Sequence, residues 1–175
     1  MKYPVLIFAI FLLTACATKK STKSESAENQ KTNCPTDGVC SFEVFQGKQF
    51  NIKKDEFGNT YPLIESGEKI LLKFTYKRNS IENTADSDYS EIVFAEVDEN
   101  SIENLSISDK ALDTVKLTFG KVCFCRGQNG YYPIRNGTLT IEKVDEDKFI
   151  FNLDFEANGV DPIISQISEK FNLKL

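Results

Sequence analysis

The chain has 175 residues, with 21 basic and 26 acidic side chains, five cysteines, and neither histidine nor tryptophan. This length fits one domain of ordinary size, and 41% apolar with 27% charged residues indicates that most of the chain folds. Without histidine, Ser-His-Asp and Cys-His nucleophiles, histidine-ligated zinc and an imidazole base near neutral pH are excluded.

The first fifteen residues are typical of an export signal. Lys2 precedes an apolar run over residues 4–13. A helix of that length rises about 15 Å, roughly half of a membrane's hydrocarbon core, so the run is too short for a permanent span. It fits the apolar region of a signal peptide, which we predict for residues 1–15.

The four residues Leu13-Thr14-Ala15-Cys16 resemble the lipobox of bacterial lipoproteins. The resemblance implies that the Cys16 thiol receives a diacylglyceryl group, that the signal is cut just before it, and that the new amine is acylated. Three acyl chains would hold the protein in a membrane almost irreversibly, since each buried methylene contributes about 0.8 kcal/mol. If the cell has two membranes, the resemblance also implies the outer membrane, because Ala17 stands where an aspartate usually retains a lipoprotein in the inner membrane. The lack of an acidic run after Cys16 favours the periplasmic face.

Residues 16–32 are predicted to be a flexible tether, because the stretch cannot form a core. Its four lysines and two glutamates give a net charge of +2. The lysines either attract an anionic leaflet or only keep a spacer soluble. Residues 33–175, predicted to form a single β-rich domain, hold 16 basic and 24 acidic side chains, a net charge of −8. Such an acidic body argues against nucleic acid as a partner.

Beyond the tether, apolar and polar residues alternate with period two. Apolar side chains share one face at 42–44, 50–52, 70–76, 115–119, 139–141 and 149–155, whereas 92–95 is apolar on both faces and indicates a central strand. Turns are predicted at 46–48, 55–59 and 145–147. Seven or eight strands without crossover helices predict a mainly β fold, either an antiparallel β-sandwich or a small β-barrel.

The end of the chain is predicted to be a short helix. Asp161 supplies an N-cap and Pro162 suits the first turn. Helical spacing relates the apolar residues that follow, namely Ile163, Ile164, Ile167 and Phe171. This helix would pack on a sheet or close one end of a barrel.

Four cysteines remain after Cys16, and an even number in an exported chain favours disulfides. In an extended strand, the Cα atoms of Cys123 and Cys125 would lie about 6.5–7 Å apart, at the outer limit for a bridge. We therefore predict the pairs Cys34–Cys125 and Cys40–Cys123. Each would close a loop of about 85–90 residues, and the first would contribute roughly 4–5 kcal/mol by the chain-entropy model.

Two other uses of these cysteines stay open. One is a zinc site with four thiolate ligands, although Cys-x-Cys holds a single ion poorly. The other is thiol–disulfide exchange at Cys123 and Cys125, where neighbouring Arg126 would stabilise a thiolate.

Residues 126–133 form the candidate contact loop. Asn129-Gly130 marks a tight turn, and an extended backbone directs Tyr131 and Tyr132 to opposite sides. Together with Arg126, an exposed tyrosine would offer a stacking surface to a sugar ring or a protein. The acidic clusters lack the spacing of a calcium loop, and no phosphate-binding, dinucleotide or nucleophile-elbow motif occurs.

These features predict a lipid-anchored envelope protein whose β domain binds or supports an envelope protein or a glycan. No catalytic residue, metal ligand or cofactor is predicted. An alternative is a carrier that holds an apolar ligand in a barrel cavity lined by some of the 14 phenylalanines. A further alternative is a redox protein that uses Cys123 and Cys125.

Overall fold

The computed structural model describes residues 32–175, which form nine strands in two antiparallel sheets. The strands are β1 (Gly38–Lys54), β2 (Thr60–Arg78), β3 (Tyr89–Asp98), β4 (Asn104–Ser108), β5 (Thr118–Cys123), β6 (Gly130–Pro133), β7 (Asn136–Asp145), β8 (Lys148–Glu156) and β9 (Gln166–Asn172). Sheet A has the order β1-β2-β3-β5-β6, and sheet B the order β4-β7-β8-β9. Two 3-10 helices, Glu99–Ser101 and Asp109–Val115, flank β4. The predicted signal peptide, Cys16 and the tether up to residue 31 lie outside the described residues.

The mainly β, antiparallel sandwich is confirmed, and its core lies between the two sheets. Alternation along β8 buries Phe149, Phe151, Leu153 and Phe155, as the sequence predicts. Rings from both sheets meet there: the centroids of Phe42 and Phe151 lie 5.3 Å apart. Strand β3 is central, as its apolar residues on both faces predict.

The structure has nine strands in residues 32–175, whereas seven or eight are predicted. The prediction is too low because β4 and β6 have only five and four residues. Such short segments carry too little alternation to stand out from loops. In addition, Val115 ends a 3-10 helix rather than beginning a strand.

The predicted C-terminal helix is wrong. Residues 161–165 are irregular, and Gln166–Asn172 is the edge strand β9. Ile167, Phe171 and Leu173 are buried and follow period two, but half-buried Glu169 interrupts the apolar alternation between them. The interruption left a spacing that also fits a helix.

The predicted turn at 46–48 is also wrong, because β1 runs through it as a β-bulge. The register with β2 shifts between Gln46 and Lys48, and Gly47 adopts a φ of 64°, which glycine tolerates without a Cβ clash. The hairpin turns instead at residues 55–59, where a turn is predicted correctly.

Beyond the bulge, residues 48–54 and 60–66 form a two-stranded arm that folds over the outer face of sheet A. Phe50 of the arm is buried and stacks on Phe94 of β3, with ring centroids 4.9 Å apart. Leu71 is the third fully buried member of this second core, and half-buried Ile52 and Tyr131 pack against it.

The outer face of sheet B is polar instead. A row of hydrogen bonds crosses it: the Asn152 amide donates to Thr140 Oγ1 at 3.4 Å, and Ser168 Oγ donates to Asn152 Oδ1 at 2.7 Å. Thr32 continues the row, because its backbone N–H donates to the Ser168 carbonyl at 2.8 Å. Within residues 32–175, no helix is long and apolar enough to cross a membrane.

Candidate functional site

Both disulfides lie at one end of the sandwich, which we call the disulfide end. Cross-strand pairing places Cys40 opposite Tyr76, Tyr76 opposite Glu91, and Glu91 opposite Lys121. Cys123 lies opposite Tyr89. Polar side chains therefore occupy inward positions at this end, where the rest of the sandwich is apolar.

The predicted disulfide pairs are wrong: the structure joins Cys34 to Cys40 and Cys123 to Cys125. Strand β5 ends at Cys123 and the backbone bends at Phe124, so the Cα atoms of Cys123 and Cys125 lie only 5.1 Å apart. The prediction assumed an extended strand. With sequence separations of 6 and 2, the chain-entropy model gives about 2.4 and about 1.6 kcal/mol, so the bonds stabilise loops more than the fold.

Glu91 is the most deeply buried charged residue at the disulfide end, with 1% of its surface exposed. Its carboxylate accepts hydrogen bonds from the Ile163 and Ile164 backbone N–H groups at 2.7 and 2.9 Å, and from the Tyr89 hydroxyl at 2.5 Å. Glu91 thus fixes the irregular segment before β9. Burial, followed by the contact with Glu91, raises the pKa of Tyr89.

Two cations surround the Tyr89 ring. The Arg78 guanidinium carbon lies 4.4 Å from the ring centroid and the Lys121 ammonium 5.8 Å from it. Lys121 is 6% exposed and donates to Gln128 Oε1 at 2.8 Å and to the Asp161 carbonyl at 3.2 Å. Neither Glu91 nor Lys121 is predicted from the sequence as a site residue, although a charge at an inward position of an apolar strand was a usable signal.

The Cys34–Cys40 loop contains an acidic residue instead. Asp37 Oδ1 accepts from the Tyr76 hydroxyl at 2.8 Å, and Asp37 Oδ2 lies 3.3 Å from Arg78 Nε. The backbone N–H of Asn79 also donates to the Asp37 carbonyl at 2.8 Å. This loop is held by contacts that do not depend on its disulfide.

The three residues predicted as a contact loop are separated by the structure. Arg126 is exposed. Tyr131 is half-buried under the arm, 6.5 Å from the Phe94 ring, and burial raises its pKa. Tyr132 is half-buried on the other side, against the main core. Neither tyrosine ring is left open as a stacking platform.

A different set of side chains is exposed at the disulfide end. The arm returns there, since Thr60 Oγ1 lies only 3.5 Å from the position that a Cβ on Gly130 would take. Its turn thereby comes next to the loop that follows β5. We call the exposed apolar residues of the two segments the tip patch: Phe57 (82% exposed), Tyr61 (45%), Val122 (40%) and Phe124 (83%). Phenylalanine within the polar turn 55–59 was the sequence signal for this patch.

An open cleft of about 660 Å³ lies beside the middle of β1. Val44, Gln46 and the segments 145–148 and 172–174 line it. Gln46 spans it by donating its amide to the Lys174 carbonyl at 2.7 Å. Among residues 32–175, no group of three or more Cys, Asp or Glu side chains is placed to hold a metal ion.

The phenylalanines that an apolar carrier would use as cavity lining contact one another instead. Phe119 and Phe155 have ring centroids 5.8 Å apart, and Phe149 stacks on Phe171 at 5.4 Å.

Comparisons of the chain with protein-family models, with curated proteins and with solved structures found no match.

Proposed function

We propose that the protein is a lipid-anchored binding module of the cell envelope, which docks a protein partner through the tip patch. The observation that carries the proposal is the exposure of Phe57 and Phe124, at 82% and 83%, on neighbouring loops of one end of the sandwich. Exposed aromatic side chains that lie together are typical of protein interfaces, where they fill pockets of the partner.

The buried charges support a binding role rather than catalysis. Glu91 is bonded to two backbone N–H groups and a tyrosine hydroxyl, and Lys121 to an amide oxygen and a carbonyl. Glu96, 7% exposed, accepts from the Phe50 backbone N–H at 3.0 Å and pairs with Lys116. The hydrogen bonds and the ion pair of these buried residues hold loops and the arm in place.

A protein partner fits better than a glycan. Sugar rings stack on the open face of an aromatic ring, but Tyr131 and Tyr132 pack against other parts of the domain. The tip patch instead projects side chains from turns, and the exposed cations Lys53, Lys54 and Arg126 beside it outnumber the exposed anion Glu56. Such a surface suits a partner with an apolar pocket and an acidic rim.

Site-specific photocrosslinking in intact cells tests the docking surface. A photoreactive amino acid is placed at Phe57, at Phe124, or at Val144, an exposed apolar residue of sheet B that serves as the control. We expect one polypeptide to be captured from both patch positions and not from Val144, and its capture at Phe57 to be lost in a Phe124→Ala variant. Equal capture at all three positions, capture of glycan alone, or no capture overturns the proposed partner.

The anchor is tested separately with Cys16→Ser, and Cys34→Ser is the matched control. We expect Cys16→Ser to abolish incorporation of labelled fatty acid and to leave the uncut precursor, whereas Cys34→Ser keeps the lipid. Fatty-acid labelling and the intact mass report the outcome. A Cys16→Ser protein that is still labelled and processed overturns the anchor.

A further inference from the structure

The two disulfides differ in how much the fold depends on them. Cys123–Cys125 joins residues two apart, so it removes little freedom from the unfolded chain. Strand β5 is also held on both sides by pairing with β3 and β6. Opening this bond therefore leaves the sandwich in place and releases only the loop that follows β5.

The charges around the two bonds differ in sign. Cys123 lies opposite Tyr89, whose ring centroid is 5.8 Å from the Lys121 ammonium, and Arg126 directly follows Cys125. Arg78 also lies near that ring, but it pairs with Asp37 of the other loop. Glu91, which lies opposite Lys121, already accepts three hydrogen bonds. The Cys34–Cys40 loop, in contrast, encloses the carboxylate of Asp37. Cations favour the thiolate form of cysteine, which makes a better leaving group in disulfide exchange.

The Cys123–Cys125 bond lies beside exposed residues. It spans a bend at the surface, with Phe124 between the sulfurs 83% exposed and residues 126 and 127 exposed after it. Cys123 and Cys125 are themselves half-buried against the main core, as Cys34 and Cys40 are, so burial does not separate the two bonds. Exposed and electropositive surroundings are the usual setting of reactive cysteines.

We propose that Cys123–Cys125 is a thiol–disulfide exchange site that is reduced by dithiols, while Cys34–Cys40 stays bonded. A thiolate of the dithiol attacks one sulfur, the S–S bond breaks, and the other cysteine leaves as a thiolate. The second thiol of the reductant then attacks the mixed disulfide. Two electrons and two protons pass to the protein, Cys123 and Cys125 become thiols, and the reductant becomes a cyclic or intramolecular disulfide. The proposal does not depend on the lipid anchor or on the tip patch.

A titration of the full-length protein with dithiothreitol tests this exchange. After acid quenching, free thiols are alkylated, the remaining disulfides are reduced and alkylated with a second reagent, and trypsin digestion follows. Cleavage after lysine and arginine separates the bonds, because residues 122–126 hold Cys123 and Cys125 whereas residues 32–48 hold Cys34 and Cys40. We expect peptide 122–126 to be half-reduced at a dithiothreitol concentration about tenfold lower than peptide 32–48. Half-reduction at the same concentration, or of peptide 32–48 first, overturns the proposal.

Arg126→Gln tests the role of charge without touching a buried group, and Arg135→Gln, an exposed arginine paired with Asp113, is its control. We expect Arg126→Gln to slow reduction of Cys123–Cys125 about 3- to 10-fold at pH 7, and Arg135→Gln to leave the rate unchanged. In Arg126→Gln the two cysteines are read from the longer peptide 122–135. An unchanged rate in Arg126→Gln, or equal slowing in both variants, overturns the proposal.

Discussion

The outer faces of the two sheets are built in opposite ways. Sheet A has an apolar outer surface around Phe94 and Leu71, and the arm covers it. Sheet B has a hydrogen-bonded row of half-buried polar side chains around Asn152. The comparison shows that a strand apolar on both faces indicates a second layer as well as a central position in its sheet.

The largest expected effect comes from removing the contact between the arm and sheet A. Phe50→Ala deletes a buried ring that stacks on Phe94, which we expect to lower the free energy of unfolding by about 3 kcal/mol. Phe57→Ala, in the exposed turn of the same arm, should change it by less than about 0.5 kcal/mol. Urea denaturation measures both. If the two variants lose the same stability, the arm does not depend on its second core.

The next effect concerns the buried carboxylate under the arm. Glu96→Gln keeps an acceptor for the Phe50 N–H but loses the ion pair with Lys116, whose nearest N–O distance is 3.0 Å. We expect a loss of about 2 kcal/mol, because the Glu96 side chain is only 6% exposed. Glu43→Gln breaks a solvent-exposed pair with Lys73 and should cost less than about 1 kcal/mol. Equal losses in urea denaturation would contradict a special role for Glu96.

On sheet B the expected effect is smaller, because the polar row is partly solvated. Asn152→Ala removes side-chain hydrogen bonds with Thr140 and Ser168 and should cost about 1 kcal/mol. Asn104→Ala, at an exposed position of β4, is the control and should remain within about 0.5 kcal/mol of the parent protein. Hydrogen exchange of β8 and β9 amides should report the loss locally. Faster exchange of the arm instead would contradict the separation of the two faces.

The smallest effect at neutral pH concerns Tyr131, whose pKa is raised by burial above its ordinary value of 10.0. The folded protein keeps the Tyr131 phenol neutral. The contribution of this group to the free energy of unfolding is therefore intact below pH 10 and is lost as the pH rises toward the folded-state pKa. The free energy of unfolding of Tyr131→Phe should therefore equal that of the parent protein at pH 8. Between pH 8 and pH 11 it should fall by less than that of the parent protein. Tyr61→Phe, exposed on the arm, should follow the parent at both values. A Tyr131→Phe variant that loses as much as the parent at pH 11 would show that the ring is solvated.

The sequence was sufficient where the pattern is local. The alternation in β8 identifies a strand and its buried face, and the turn at 55–59 lies where it is predicted. It was insufficient where a distant residue decides the structure. Ile163 and Ile164 look helical, but their N–H groups bind Glu91, more than 70 residues away.

Features that local periodicity does not show also explain why the candidate site was predicted only in part. Pairing of the cysteines depended on a bend at Phe124, which no periodicity reveals. The tip patch depended on the bulge at Gly47, which returns the arm to the disulfide end. Arg126 is exposed, and the burial of Tyr131 could not be predicted without knowledge of the arm that covers it.

The fit between Gly120 and Tyr131 has an evolutionary consequence. A Cβ at position 120 would lie 2.4 Å from Cε1 of Tyr131, because that ring lies flat across the glycine. Any homologue with a larger residue at position 120 must therefore have a smaller one at 131 or a displaced arm. The two positions should covary, and a homologue that has a larger residue at 120 but keeps tyrosine at 131 is expected to have a displaced arm.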